Sequence, residues 1–207
     1  MKRLLGLLLV MGMVGVMGCG PSSQEIAEHV AALKKLGAKI ERKQNFEQLD
    51  ASGKPTYDVT SVDLKDNKEI TDADLKNLAG LTLLESLHLT GSRITDAGMV
   101  HLRGLTNLTW LTLHETQITD AGLVHLKGLT KLETIGLTNT QVGDAGLVHL
   151  KEMPLLIINL DGTQITDAGL VNFEGRFVLQ RLNLHRTQVT DAGIAELRKK
   201  LPCKIYH

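Results

Sequence analysis

Two rhythms of apolar residues alternate along the chain from Val59 onward. The first has period two. "LESLHL" from Leu84, "LTWLTL" from Leu108, "LETIGL" from Leu132, "LLIINL" from Leu155 and "LQRLNL" from Leu179 each place two apolar residues either side of one variable residue. Such alternation predicts a short strand with one buried face. The second rhythm is helical. In "TQITDAGLVHLKGL", Thr116 to Leu129, it predicts that Ala121, Leu123 and Leu126 point inward, with Leu129 closing the turn and Val124 flanking.

The second block recurs. Its aspartates are Asp72, Asp96, Asp120, Asp144, Asp167 and Asp191, with steps of 24 residues and one of 23. A fixed period of this size predicts a solenoid in which a strand and a helical segment make each repeat. Strands then form a parallel sheet on one side and helices cover the other. Thr119 is placed to cap its helix and Asp120 falls in the first turn, where the dipole favours negative charge. In the fourth copy Gly143 stands where the others have Thr, so the cap passes to Asp144.

The ends of a solenoid need covers. "SSQEIAEHVAALKKLG" predicts a helix with a capping box at Ser22 and Glu25, a stripe of Ile26, Val30 and Leu33, and a stop at Gly37. "AKIERK" reads as a strand, followed by a polar loop from Gln44 to Pro55; a flexible tether is the other reading of this region. "LPCKIYH" reads as a closing strand with Cys203 and Ile205 in leucine-like positions, Cys203 acting as a small hydrophobe.

The shared form L-x-x-L-x-L-x-x-T-x-I resembles the leucine-rich repeat family over about Val59 to Ile205. The 24-residue "TDAGL" version is similar to repeats of small bacterial secreted proteins, and to those of the F-box leucine-rich proteins, although no F-box precedes them here. The resemblance implies a horseshoe of class α/β, with the parallel sheet on the concave face and helices on the convex face. The family's usual asparagine column reads Asn67, Ser92, Thr116, Thr140, Thr163 and Thr187 here. It implies a ladder of side-chain hydrogen bonds to the turning backbone, which hydroxyls can also make.

Composition changes the picture little. Aromatics are 3% of residues, so the core is built from aliphatic layers. Twenty-three basic residues balance 23 acidic ones, which gives no signal for nucleic acid. The first residues differ from the rest. Lys2 and Arg3 precede an apolar run from Leu4 to Met17 that ends in Gly18-Cys19. The run is shorter than the roughly 20 residues of a membrane span. It resembles a bacterial lipoprotein signal, which implies cleavage after Gly18 and lipidation of Cys19. The plainer reading is an ordinary signal or membrane anchor. Domain bounds follow: signal 1–18, N-terminal cap and tether 19–58, repeats 59–207. The expected location is exported and membrane-anchored, on the periplasmic or cell-surface side; Gly20 after the cysteine, in place of the Asp associated with inner-membrane retention in some bacteria, is compatible with the outer membrane.

Residues between the strand leucines are displayed on the sheet. The columns are Ser61, Ser86, Trp110, Thr134, Ile157, Arg181; then Asp63, His88, Thr112, Gly136, Asn159, Asn183; then Lys65, Thr90, His114, Thr138, Asp161, His185. Trp110, the one tryptophan, reads either as an interface anchor or as a ring laid over the bare backbone of Gly136. Partner-binding candidates are Trp110, His88, Thr112, His114, Asn159, Asp161, Arg181, Asn183 and His185. His88 and His114 occupy different columns and His185 is three repeats from His114, so no shared metal or catalytic trio is expected. His101, His125 and His149 recur at 24-residue spacing on the outer face and read as copies made by duplication, with a weak metal site as the other reading. The expected function is therefore a non-enzymatic module that binds a protein or a glycan, with no cofactor and no small-molecule substrate. The alternatives are a structural envelope lipoprotein without a dedicated partner, and a substrate adaptor like the F-box proteins.

Overall fold

The computed structural model describes residues 22–49 and 55–207. Residues 1–18 and Cys19, to which the leader and the lipid attachment were assigned, lie outside the described residues.

Helix α1 (Ser23–Lys35) opens the fold. The Ser22 backbone N–H donates to Glu25 at 2.7 Å, and Ser22 Oγ accepts the Glu25 N–H at 3.2 Å, completing the expected capping box. Val30 and Leu33 are buried and Ile26 packs against the core. Gly37, at φ +82°, ends the helix, with N–H bonds from Gly37 and Ala38 to Lys34 and Leu33.

Strand β1 (Lys39–Leu49) follows and pairs antiparallel with β2 (Pro55–Asp63). The strand thus takes up the first half, 44–49, of the segment expected to be a loop from Gln44 to Pro55. Polar residues suit this strand because it is the edge of the sheet, where charge is tolerated and discourages pairing with other chains.

From β2 onward the sheet is parallel and its order is sequential: β3 (Ser86–His88), β4 (Trp110–Thr112), β5 (Thr134–Gly136), β6 (Ile157–Asn159), β7 (Arg181–Asn183) and β8 (Lys204–Tyr206). Only the β1–β2 pair departs from the expected all-parallel sheet. The register aligns Ser86, Trp110, Thr134, Ile157 and Arg181 in one column and His88, Thr112, Gly136, Asn159 and Asn183 in the next. β8 adds Lys204 and Tyr206 to those columns and tucks Ile205 and Cys203 against the core.

The opposite layer is less helical than its sequence rhythm suggests. It consists of 3-10 turns (Asp72–Leu78, Gly98–Leu102, Val124–Leu126 and Asp167–Phe173), two single α-turns, α2 (Asp120–Leu123) and α3 (Asp144–Leu147), and one longer helix, α4 (Asp191–Lys200). Strands repeat about every 4.8 Å while full helices need about 10 Å, so wide helices stack poorly at the period the sheet imposes. α4 has no later repeat above it among the described residues and grows to ten residues.

Leu123, Leu126 and Leu129 are fully buried, as expected, but Ala121 is exposed and Gly122 takes the inward position. One apolar interior runs from Val30 to Leu201 through every repeat. Each buried leucine contributes roughly 1.5–3 kcal/mol, so no single repeat could hold its layer without neighbours. The hydroxyl column behaves as the resemblance implied: Ser92, Thr116, Thr140, Thr163 and Thr187 each donate to the carbonyl three residues back, at 2.5–2.7 Å.

Candidate functional site

The strand face is built by the register just described. Leucines turn inward, so the residues between them stand on the outer side of the sheet. Trp110 is 46% exposed at the centre of this face. Its ring lies 6.3 Å from that of His88, tilted by 54°. The ring over Gly136 belongs to His114: a Cβ at position 136 would collide with the His114 Cε1 and Nε2 atoms. The space over Gly136, one of the two places open to the tryptophan, is thus filled by a histidine just past the end of the preceding strand, and Trp110 stays exposed.

His114 is fixed by that contact and by the Thr138 N–H, which donates to its Nδ1 at 3.0 Å. An accepting Nδ1 requires the neutral ring with its proton on Nε2. Burial lowers its pKa below the usual histidine value, against the opposing pull of Glu115 and Asp161.

His88 stands between Ser86, whose Oγ is 2.9 Å from Nε2, and Thr112, whose Oγ1 is 3.2 Å from Nδ1. A serine–histidine contact is half of a nucleophilic site. Here a neutral threonine hydroxyl occupies the position where a triad has a carboxylate. The cluster sits beside the Trp110 ring.

Farther along, Asn159 Oδ1 accepts the Asp161 N–H at 3.1 Å, and Asp161 Oδ1 accepts the His185 N–H at 2.8 Å. Arg181, Asn183 and His185 line an open pocket of about 290 Å³ together with Tyr206, a residue not singled out from sequence. The nine candidate residues thus fall into two groups on one face, one around Trp110 and one around Arg181, with Asn159 and Asp161 between. Tyr206 was missed because the closing strand was read for its buried positions only.

The outer histidines are half-buried rather than fully exposed. His125 Nδ1 accepts from Arg103 Nε at 3.0 Å, and burial followed by the Arg103 charge lowers its pKa. Among the described residues no group of three His, Cys, Asp or Glu side chains is arranged to hold a metal ion. Cys203 is partly buried, and burial raises its thiol pKa, away from thiolate reactivity.

A family model described as leucine rich repeat matches residues 57–118 and 82–142. Among solved structures, an internalin of Listeria monocytogenes is similar at 28% identity over 63% of this chain, with a TM-score of 0.52. The match takes in 36% of that internalin, so the chain spans about a third of its length. An internalin C2 of the same organism aligns at 18% identity over 86% of this chain and 91% of its own, with a TM-score of 0.43. A leucine-rich repeat protein of Leptospira interrogans aligns at 19% identity over 65% of this chain and 39% of its own, with a TM-score of 0.45. No curated protein matches the chain.

Proposed function

We propose, from the premise that the chain is a leucine-rich repeat protein, that it is a non-catalytic module whose strand face binds another protein. Domains of this kind generally serve protein–protein interaction. The observation that carries the reading is Trp110: the single tryptophan, 46% exposed, in the middle of a regular polar surface. A half-exposed tryptophan ringed by ordered polar side chains is the composition of an interface hot spot. Thr112, His88 and His114 form its rim on one side, and Asn159, Asp161, Arg181, Asn183 and His185 extend it.

A photo-crosslinking amino acid at Thr134, beside Trp110, tests this in the native cell. A discrete crosslinked protein is expected, and its yield should fall when Trp110→Ser and Arg181→Ala are added. Crosslinks that form only from a probe at Val148, on the opposite layer, would refute the strand face as the binding surface.

The leader supports an exported, lipid-anchored form. In this reading residues 1–18 are a cleaved signal, Cys19 carries the lipid, residues 19–58 tether and cap, and residues 59–207 form the repeats. One acyl chain binds a membrane only marginally, so stable retention requires more than one. Cys19→Ser should therefore move the protein to the soluble extracytoplasmic fraction or leave it unprocessed. Processing and membrane retention unchanged in that variant would refute the anchor.

A further inference from the structure

The strand face changes character along its length. Trp110, Thr134, Ile157, Arg181 and Lys204 are successive partners in one column. An apolar step made by Trp110 and the half-buried Ile157 thus gives way to two exposed cations. Neither Arg181 nor Lys204 has an acidic partner among the described residues. Beside them lies the pocket of about 290 Å³, where Asn183, His185 and Tyr206 add polar and aromatic lining. Asp161 is the carboxylate of the neighbouring strand, and one of its oxygens is already engaged by the His185 N–H. Two unpaired cations beside an open pocket suit a carboxylate, and an arginine can grip one through two parallel bonds.

We propose that this end of the face binds an acidic side chain of an extended protein segment whose apolar residue rests on Trp110 and Ile157. The inference rests on the strand-face reading above and adds the chemistry of the partner. Spacing gives it further content. Three strand steps separate Trp110 from Arg181, about 14 Å at roughly 4.8 Å each. An extended segment covers that in about four residues. The partner therefore carries an aspartate or glutamate about four residues from a leucine, isoleucine or phenylalanine. Electrostatic attraction of this kind chiefly sets selectivity and encounter rate, so binding should weaken with added salt.

The test selects random short displayed peptides on the full chain, then titrates the selected peptides while following Trp110 fluorescence, which no other tryptophan obscures. Selected sequences should carry the acidic residue at that spacing. Changing the acid to its amide, or Arg181→Gln, should each weaken binding about tenfold, the size expected of one charge-assisted bond. Both positions are exposed, and circular dichroism checks that the Arg181→Gln and Trp110→Ser variants stay folded. Peptides without acidic enrichment that still depend on Trp110 would overturn the carboxylate pocket and leave the strand-face reading standing. Peptides indifferent to both substitutions would overturn both. Arg181-dependent binding of heparin oligosaccharide, with no acidic preference among peptides, would overturn the proposal in favour of an anionic glycan.

Discussion

Asp96 and Thr119, in consecutive repeats, are joined twice: Asp96 Oδ1 accepts the Thr119 N–H at 2.9 Å and Oδ2 accepts its hydroxyl at 2.6 Å. The same double link joins Asp72 to Thr95, Asp144 to Thr166 and Asp167 to Thr190. Each aspartate also lies against the glycine of the next "DAG". A Cβ added at Gly122 would overlap Asp96 Oδ1. Aspartate, threonine and glycine of the motif are thus parts of one joint between repeats.

A double-mutant cycle should expose that joint. Asp96→Ala leaves the part-buried Thr119 N–H without its charged acceptor and should cost about 1.5–3 kcal/mol. Gly122→Ala should cost about 1–3 kcal/mol by overpacking. Once the carboxylate is gone, the added methyl no longer meets it. The combined variant should therefore lose less than the two single losses added together, measured by urea unfolding with one global signal. Strict additivity would mean that the two residues do not interact as described.

The fourth copy offers the reverse experiment. Gly143 donates its N–H to Asp120 Oδ1 at 2.7 Å but has no hydroxyl for Oδ2. Its φ of −124° is ordinary for any residue, and a Cβ there would lie 3.5 Å from Asp120 Oδ2, a normal contact. Gly143→Thr should restore the second bond and remove glycine's extra freedom in the unfolded chain, stabilising the protein by about 1–2 kcal/mol. A fall in the thermal midpoint would contradict this.

These joints show where sequence reading stopped. The period, the strand columns and the inward leucines were legible because each is a local repeat with a geometric meaning. The aspartates were read for their own helix, as dipole partners or as a substitute cap at Asp144. In the structure Asp144 instead receives Thr166 of the following repeat. A contact across 22 residues leaves no mark in a local pattern. One clue was present: the first copy reads "TDAD". With no described aspartate beneath it, Asp74 replaces the glycine and turns back to accept the Thr71 N–H at 2.9 Å. Trp110 was placed correctly on its column, but anchor and cover over Gly136 stayed open as its two roles, because column membership does not say which way a ring leans.

Arg176 was likewise hidden, and it binds beside the 23-residue step. It occupies the position that Leu105, Leu129 and Met153 fill in other repeats, and is equally buried. The preceding repeat is one residue short at Pro154. Arg176 Nη1 donates to the carbonyls of Leu150 at 2.7 Å and Lys151 at 3.2 Å, and Nη2 donates to Met153 at 2.6 Å. The guanidinium adds a charged donor to the carbonyls of Leu150 and Met153, which already accept the N–H groups of Met153 and Leu155, and also reaches that of Lys151. Burial lowers its pKa, with the Glu152 charge opposing. Arg176→Met keeps the aliphatic volume and removes the donors, and should destabilise by about 2–4 kcal/mol. If methionine is neutral there, the three carbonyls do not depend on the arginine.

His114 gives the strand face a dependence on pH whose sign follows from its geometry. The folded protein holds the ring neutral, since Nδ1 accepts the Thr138 N–H and burial disfavours the charged form. Its folded pKa therefore lies below the unfolded value of about 6.5. As pH falls through that value the unfolded chain takes up the proton first. The stabilising contribution is thus complete above about pH 6.5 and is lost as pH drops toward the folded pKa. His114→Gln retains an acceptor and does not titrate, so its thermal midpoint should fall less than that of the native chain between about pH 6.5 and 5. Nitrogen NMR should show the native His114 as the Nε2–H tautomer at about pH 6.5. Parallel midpoint curves for the two proteins, or a His114 ring that titrates at or above the unfolded value of about 6.5, would show that the packing over Gly136 does not hold the imidazole neutral.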